Sequence, residues 1–383
     1  MCQTTITFTG DLLCDYAQQE ACKTNSGYDF SSLFQRIIPH LNKADYLVGN
    51  LESPFAGEKF GYTHELYCFN SPEELAYEIK NAGFDLVSTA NNHCLDRELP
   101  GLKATLDFLD SIRLDHTGTA RTKEERDTPC IREINGIRFA FLSWTYGTNA
   151  FANHHFLKDE EAYAVNLFMP QETLPGSVHL LDTFDTISAN ITKNHVEAAS
   201  EPYLRQLEAD IKAARALKAD FVILLMHSGG QYNLTPDPYT EFLVSKIQSF
   251  KPDLIIGNHP HVLQKTELSA DVPIFWSLGN LTCTPGKKIS ETEADVKALG
   301  GLVTITFEKD ETGTKLTAAE FIPTKSIVGE NKISSVYPLY NLIQAANTEE
   351  TRNQLMTDLR FAVNTMRNVS LDTPVTPAEK YTL

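Results

Sequence analysis

Short apolar runs recur along the chain, each ending in a sharp polar loop and each separated from the next by a helical pattern. Residues 6–9 run into Gly10-Asp11. The spacing over 32–41 predicts a helix, after which 45–48 end in Gly49-Asn50-Leu51-Glu52. Ser71-Pro72-Glu73-Glu74 reads as a capping box with proline at the first helical position, opening a helix to about residue 81. Residues 84–88 then run into Ala90-Asn91-Asn92-His93, and a helix over about 100–112 leads toward Thr117-Gly118. The rhythm continues with a strand at 137–144, a helix at 203–217 and an apolar run at 221–226 ending in His227. A helix at 238–250 feeds 254–256, which end in Gly257-Asn258-His259-Pro260-His261, and 273–276 run into Ser277-Leu278-Gly279-Asn280.

The apolar runs lack period-two alternation, as strands buried on both faces do, so the pattern predicts βαβ units with a largely parallel sheet. Residues 302–307 and 315–322 do alternate, around a turn at 308–313, and predict a hairpin that makes the sheet mixed. Residues 347–366 predict a helix packed on the body. The stretch 146–201 has weak periodicity and reads as an insertion near the functional edge. The expected organisation is therefore a domain over 1–325 containing that insertion, followed by a helical extension over 326–383 on the same body.

Composition narrows the function more than the fold. With 383 residues, 42% hydrophobic and 22% charged, the chain is an ordinary globular one. Its net charge of −17 argues against nucleic acid as a partner, which needs clustered Lys and Arg. The seven cysteines are scattered without a C-x-x-C pair, which argues against a disulfide framework or thiolate zinc site and favours a reducing compartment. No apolar run approaches the ~18 residues of a membrane span. The N-terminus enters a strand pattern directly, so the expectation is a cytoplasmic protein, or an extracytoplasmic one if a leader is removed.

In open α/β sheets ligands bind beyond the carboxyl ends of the strands. The side chains there are Asp11, Glu52, Asn92 with His93, His227, and His259 with His261, instead of a glycine-rich phosphate loop. Singly, each has a structural explanation as a turn, cap or buried polar residue. Together they form an oxygen and nitrogen ligand set suited to one or two divalent ions such as Mn, Fe or Zn. Two metals roughly 3.5–4 Å apart, bridged by one carboxylate, clamp a phosphoryl group. His93 is then placed to stabilise the transition state or protonate the leaving oxygen, with Asp96 orienting it.

Six segments resemble one family in order: Thr9-Gly10-Asp11, Gly49-Asn50-Leu51-Glu52-Ser53-Pro54, Ala90-Asn91-Asn92-His93-Cys94-Leu95-Asp96, His227-Ser228-Gly229-Gly230, Gly257-Asn258-His259-Pro260-His261-Val262 and Ser277-Leu278-Gly279-Asn280. They are similar to the poly-γ-glutamate capsule synthesis (CapA) proteins, within the calcineurin-like metallophosphoesterase superfamily. The resemblance implies a four-layer αββα sandwich of two mixed sheets flanked by helices. It implies Asp11 and His261 on a first metal, Glu52 as bridge, Asn92, His227 and His259 on a second, and His93 as catalytic histidine. Asn50, His64, Tyr232 and Asn280 are expected to face the substrate. The chain departs from the pattern at Leu13, where superfamily members carry histidine, and at Gln231, where many relatives carry glutamate; it also shows no hydrophobic N-terminal anchor.

Three functions follow as expectations. The first is a metal-dependent hydrolase acting on a phosphate ester in capsule or cell-envelope polymer metabolism. The second is a non-catalytic protein that binds poly-γ-glutamate or a partner subunit through a degenerate site. The third is a γ-glutamyl amide hydrolase or transferase. Among other residues, His154, His155, His179 and His195 read as solvated, Cys94 as buried packing, and 124–127 as a solvated helix turn. Trp144 and Tyr146 could wall a pocket, and read at least as well as core.

Overall fold

The computed structural model describes residues 2–64, 68–171, 192–286, 288–289 and 292–383, the side chains of 192–195 excepted. Two mixed sheets dominate it. The first runs in the order Ser334–Pro338, Gly313–Val328, Leu299–Asp310, Cys2–Leu12, Tyr46–Leu51, Leu86–Ser88 and Asp115–Thr117. Asn280–Thr282 lies parallel to the end of Cys2–Leu12, and Tyr381–Thr382 pairs with Gly313–Val328. The second sheet runs in the order Thr266–Glu267, Ile274–Phe275, Leu254–Asn258, Phe221–His227, Ile137–Thr145 and Cys130–Ile134.

Strand residues with opposite parity serve different cores, which is why the layers form. Phe139, Phe141, Ile223 and Leu225 meet Ile6, Phe8 and Val48 of the first sheet in an inter-sheet core. The alternate residues Ala140, Leu142, Trp144, Val222, Leu224 and Met226 face outward onto Leu204, Leu207 and Ile211 of the helix Thr192–Ala216 and Leu243 and Ile247 of Pro238–Ser249. On the far side, Leu47, Leu51 and Val87 pack on Leu75 and Ile79 of Glu73–Asn81 and on Leu99, Leu102, Leu106 and Leu109 of Glu98–Ser111. Helices, sheet, sheet and helices thus make the four expected layers. The expected continuous runs occur because both faces of these strands are covered.

Several elements differ from the sequence expectation. Over 32–41 only Ile38–Leu41 is α-helical, since Pro39 has no N–H and its ring obstructs a helix reaching back past residue 35. The N-cap of Glu73–Asn81 is Pro72, because the Ser71 hydroxyl is spent on Ser53 at 2.7 Å. The helix expected from residue 203 begins at Thr192 and carries Pro202 inside it. The hairpin is longer, Leu299–Asp310 against Gly313–Val328. The C-terminal residues supply two strands as well as the helices Leu339–Ala345 and Glu349–Met366. Trp144 is core, at 1% exposure. Arg126 is not simply solvated, since it binds Asp210 through its two terminal guanidinium nitrogens at 2.8 and 2.9 Å. His179 and the side chain of His195 lie outside the described residues. His154 is exposed and His155 half-buried.

The C-terminal helix is locked to the first sheet by a buried ion pair, Lys325 Nζ to Asp358 Oδ2 at 2.5 Å. Asp358 also accepts the Asp295 N–H at 2.9 Å, so it fixes the turn beside the strand ends. Removing Asp358 leaves the buried Lys325 ammonium with only the partly exposed Asp295 carboxylate at 3.3 Å, and takes the acceptor from the Asp295 N–H. Asp358→Ala is expected to lose about 3–5 kcal/mol of unfolding free energy in a urea titration, and a loss below about 1 kcal/mol would contradict this role.

Candidate metal centre

The carboxyl ends of both sheets meet at one place. Asp11 is the penultimate residue of Cys2–Leu12, Glu52 follows Tyr46–Leu51, and Asn92 and His93 follow Leu86–Ser88. From the second sheet, His227 is the last residue of Phe221–His227, and His259 and His261 follow Leu254–Asn258. The approach of the first strand to Gly279 is so close that a Cβ on Gly10 would sit 2.1 Å from the Gly279 carbonyl oxygen. Glycine is what permits the Asp11 N–H to reach that oxygen at 2.9 Å. His259 (φ +103°) and His261 (φ +56°) hold backbone conformations that side-chain-bearing residues seldom adopt, a strain typical of functional sites.

Two groups of ligand atoms result, Asp11, Glu52 and His261, and Glu52, His227 and His259, each within 4.8 Å and fully enclosed. Glu52 belongs to both. Its Oε1 stands 3.5 Å from Nε2 of His227 and from Nε2 of His261. Asn92 Oδ1 joins the second group at 2.8 Å from His227 Nε2. Leu13 supplies no ligand to the first, and its N–H bonds Thr282 Oγ1 at 3.0 Å instead.

The ligands are held from behind. Asn50 Nδ2 donates to Asp11 Oδ1 at 2.7 Å and lies 3.2 Å from His227 Nδ1. Asn280 Oδ1 accepts from His261 Nδ1 at 2.9 Å, and its amide donates to the His261 carbonyl at 3.2 Å. Both asparagines thus bond directly to residues of the ligand groups, Asn50 to Asp11 and Asn280 to His261. His64 is exposed in a loop, its Nδ1 3.1 Å from the Tyr62 carbonyl. The Tyr232 ring lies 6.1 Å from the His261 ring.

His93 stands beside the two groups. Its Nδ1 is 2.6 Å from Asp96 Oδ2, and Asp96 also takes the Phe69 N–H at 2.7 Å. The Phe69 ring stacks on the imidazole at 4.2 Å. Asn149, at φ +52°, contacts both His93 and Asn92. The Tyr146 ring is buried in the outer core with Trp144, and its other side packs on His259 at 4.6 Å. Phe69 and Asn149 escaped the sequence reading because they arrive from irregular loops, where no periodicity marks which side chain points inward.

Asp11 and Glu52 are 0% exposed, and such burial is costly without a counter-charge. Burial, then the Glu52 charge, pushes Asp11 up. Burial also works to raise Glu52, but the charges of His261 and His227 outweigh it and hold Glu52 low. Burial drives His259 well below the usual histidine range, leaving a neutral imidazole. Burial pulls His261 down too, yet Glu52 and Asp11 reverse this and raise it to about 9. Glu52 Oε1, Glu52 Oε2 and His259 Nε2 are buried with no hydrogen-bond partner. Unsatisfied acceptors on a buried carboxylate and a neutral imidazole suit a divalent cation, and the donor set is the oxygen and nitrogen kind that Mn, Fe and Zn take.

A family model described as bacterial capsule synthesis protein PGA_cap matches residues 5–284. The capsule biosynthesis protein CapA of Bacillus anthracis is 25% identical over 285 residues, covering 74% of this chain and 60% of that protein. The PGA biosynthesis protein CapA of Bacillus subtilis (strain 168) is 24% identical over 281 residues, covering 73% and 63% respectively. The chain thus spans about three fifths of the length of these relatives. Among solved structures, TT1561 of Thermus thermophilus aligns with TM-score 0.38 at 12% identity, covering 78% of this chain and 93% of that one. The Thermus thermophilus sulfate thiohydrolase SoxB aligns with TM-score 0.34 at 14% identity, covering 82% and 42%.

A metal ligand must be neutral imidazole, whereas metal-free His261 keeps its proton up to about 9. Between pH 7 and 8, Mn²⁺ binding is therefore expected to release protons, seen as a calorimetric enthalpy that changes with buffer ionisation enthalpy. Apparent affinity should rise with pH and level off above about 9. Binding with no proton release would contradict ligation by His261. In the metal-free protein, the same raised pKa stabilises the fold fully below the unfolded value, and that contribution is lost as pH rises through about 9.

Proposed function

The chain belongs to the PGA_cap family of bacterial capsule synthesis proteins, within the metallophosphoesterase superfamily, and from that premise we propose a metal-dependent hydrolase of capsule or cell-envelope polymer metabolism. Its substrate is an anion, a phosphate ester or a polymer such as poly-γ-glutamate. The observation that carries the reading is Glu52, buried without a hydrogen-bond partner between His261 on one side and His227 and His259 on the other. Asp11 and His261 would hold one ion, Asn92, His227 and His259 a second, with Glu52 shared.

Bound there, a divalent metal supplies Lewis acidity toward a phosphoryl or acyl oxygen and toward water. The chain's own residues do the rest. Asp96 accepts from Nδ1–H of His93, which leaves Nε2 to exchange a proton with the leaving oxygen. Phe69 stacks on the imidazole and limits its rotation, while burial pushes Asp96 up against the lowering effect of His93. Asn50 and Asn280 hold Asp11 and His261 in register. Tyr146 covers His259 and keeps water from that side.

Leu13 favours a second reading, a protein that binds the polymer without cleaving it, since the first ligand group lacks a histidine there. Turnover separates the two. Metal-loaded protein is expected to hydrolyse a simple phosphodiester with Mn²⁺ or to release amine from poly-γ-glutamate, the second product marking amide cleavage. His93→Ala should lower kcat by about 10²–10⁴ with metal content unchanged. Absence of both products, with polymer still bound, would support the binding protein and sink the hydrolase.

A further inference from the structure

Beyond His261, one aromatic ring further from the cluster, stands a cation that neither ligand group uses. Lys297 Nζ lies 3.9 Å from the centroid of the Tyr232 ring, and the His261 ring lies 6.1 Å from that same ring. No carboxylate among the described residues comes within 4.0 Å of this ammonium, in a chain of net charge −17. Lys297 and Tyr232 are both half-buried, each keeping part of its surface open to solvent.

The lysine is carried on a fixed turn. Its neighbours Val296 and Ala298 are 0% and 1% exposed. The preceding Asp295 gives its N–H to Asp358 at 2.9 Å and its carboxylate to Lys325 at 3.3 Å. Asn280, which orients His261, reaches the Lys297 carbonyl at 3.5 Å. Tyr232 is set by its N–H on the Pro260 carbonyl at 2.8 Å and by a φ of +65°. The segment bearing the first ligand group therefore also places this ammonium, at a set spacing from it. An ammonium over a phenol face keeps its charge and its hydrogen-bond donors for a ligand.

We propose that Lys297, seated on Tyr232, is a substrate-binding residue that reads a second oxyanion of the substrate, a carboxylate several bonds from the group held among Asp11, Glu52 and the histidines. This rests on the metal-centre reading and names its substrate as an anion bearing charge at two separated points. A substrate with one anionic group would leave Lys297 unused.

Calorimetric titration of Mn²⁺-loaded protein with a γ-linked glutamate pentamer, its side-carboxamide analogue and inorganic phosphate tests it, with metal content measured in each sample. Lys297→Gln should bind the pentamer about tenfold or more weakly, about 1.4 kcal/mol, with metal content and phosphate affinity unchanged. Lys297→Arg should recover most of the affinity, and the carboxamide analogue should bind both forms alike. Wild-type affinity of Lys297→Gln for the pentamer, or a metal-loaded wild type that ignores the pentamer, overturns the Lys297 assignment and leaves the metal centre standing. A wild type that takes up no metal overturns both.

Discussion

Two carboxylates with no exposed surface, Asp11 and Glu52, set the terms for the rest of the molecule. Removing such charges from water costs several kcal/mol each, and the chain gives Glu52 no donor to offset it. What it gives instead is a ring of imidazoles and one shared position between them. His261 keeps a proton because Glu52 and Asp11 face it, while burial and the neighbouring His227 keep His259 neutral against the pull of Glu52. The carboxylate oxygens and imidazole nitrogens thus converge on one small volume. Strained backbone at His259 and His261 persists because the surrounding packing fixes it.

Face-to-face sheets make that convergence reachable. Each sheet contributes parallel strands whose carboxyl ends point the same way, so residues distant in sequence arrive as neighbours. The inter-sheet core of Phe8, Phe139, Phe141 and Phe307 sets the spacing between the two contributions. Around the ligands, Asn50, Asn91 and Asn280 bind side chain to neighbouring loop, Asn91 donating to the Leu51 carbonyl at 2.7 Å just before Glu52. These amides act as struts, replacing water that the burial excludes.

Much of this was legible in the sequence because it is periodic or terminal. Continuous apolar runs marked strands covered on both faces, and the first polar residue after each run marked the edge where ligands gather. The four layers and the residues of the two ligand groups follow from those signals together with the family resemblance. The rest depends on packing that leaves no period. Pro202 hid the first turns of its helix because proline ordinarily ends one, and Pro39 keeps the helical pattern over 32–41 from extending back before Ile38. Asn50 and Asn280 sit in motifs that advertise function, yet only the folded contacts show which side chains their amides bond, Asp11 and His261. Phe69, Asn149 and Lys297 reach the site from loops and a short turn, so only the folded contacts identify them.

The central claim is that the buried carboxylates and histidines form a metal centre. Elemental analysis of protein incubated with Mn²⁺ and freed of excess ion addresses it most directly. The account predicts about one to two equivalents in the wild type and a large loss in Glu52→Gln, which removes the shared ligand charge. Wild-type content below about a tenth of an equivalent for every transition metal would contradict it.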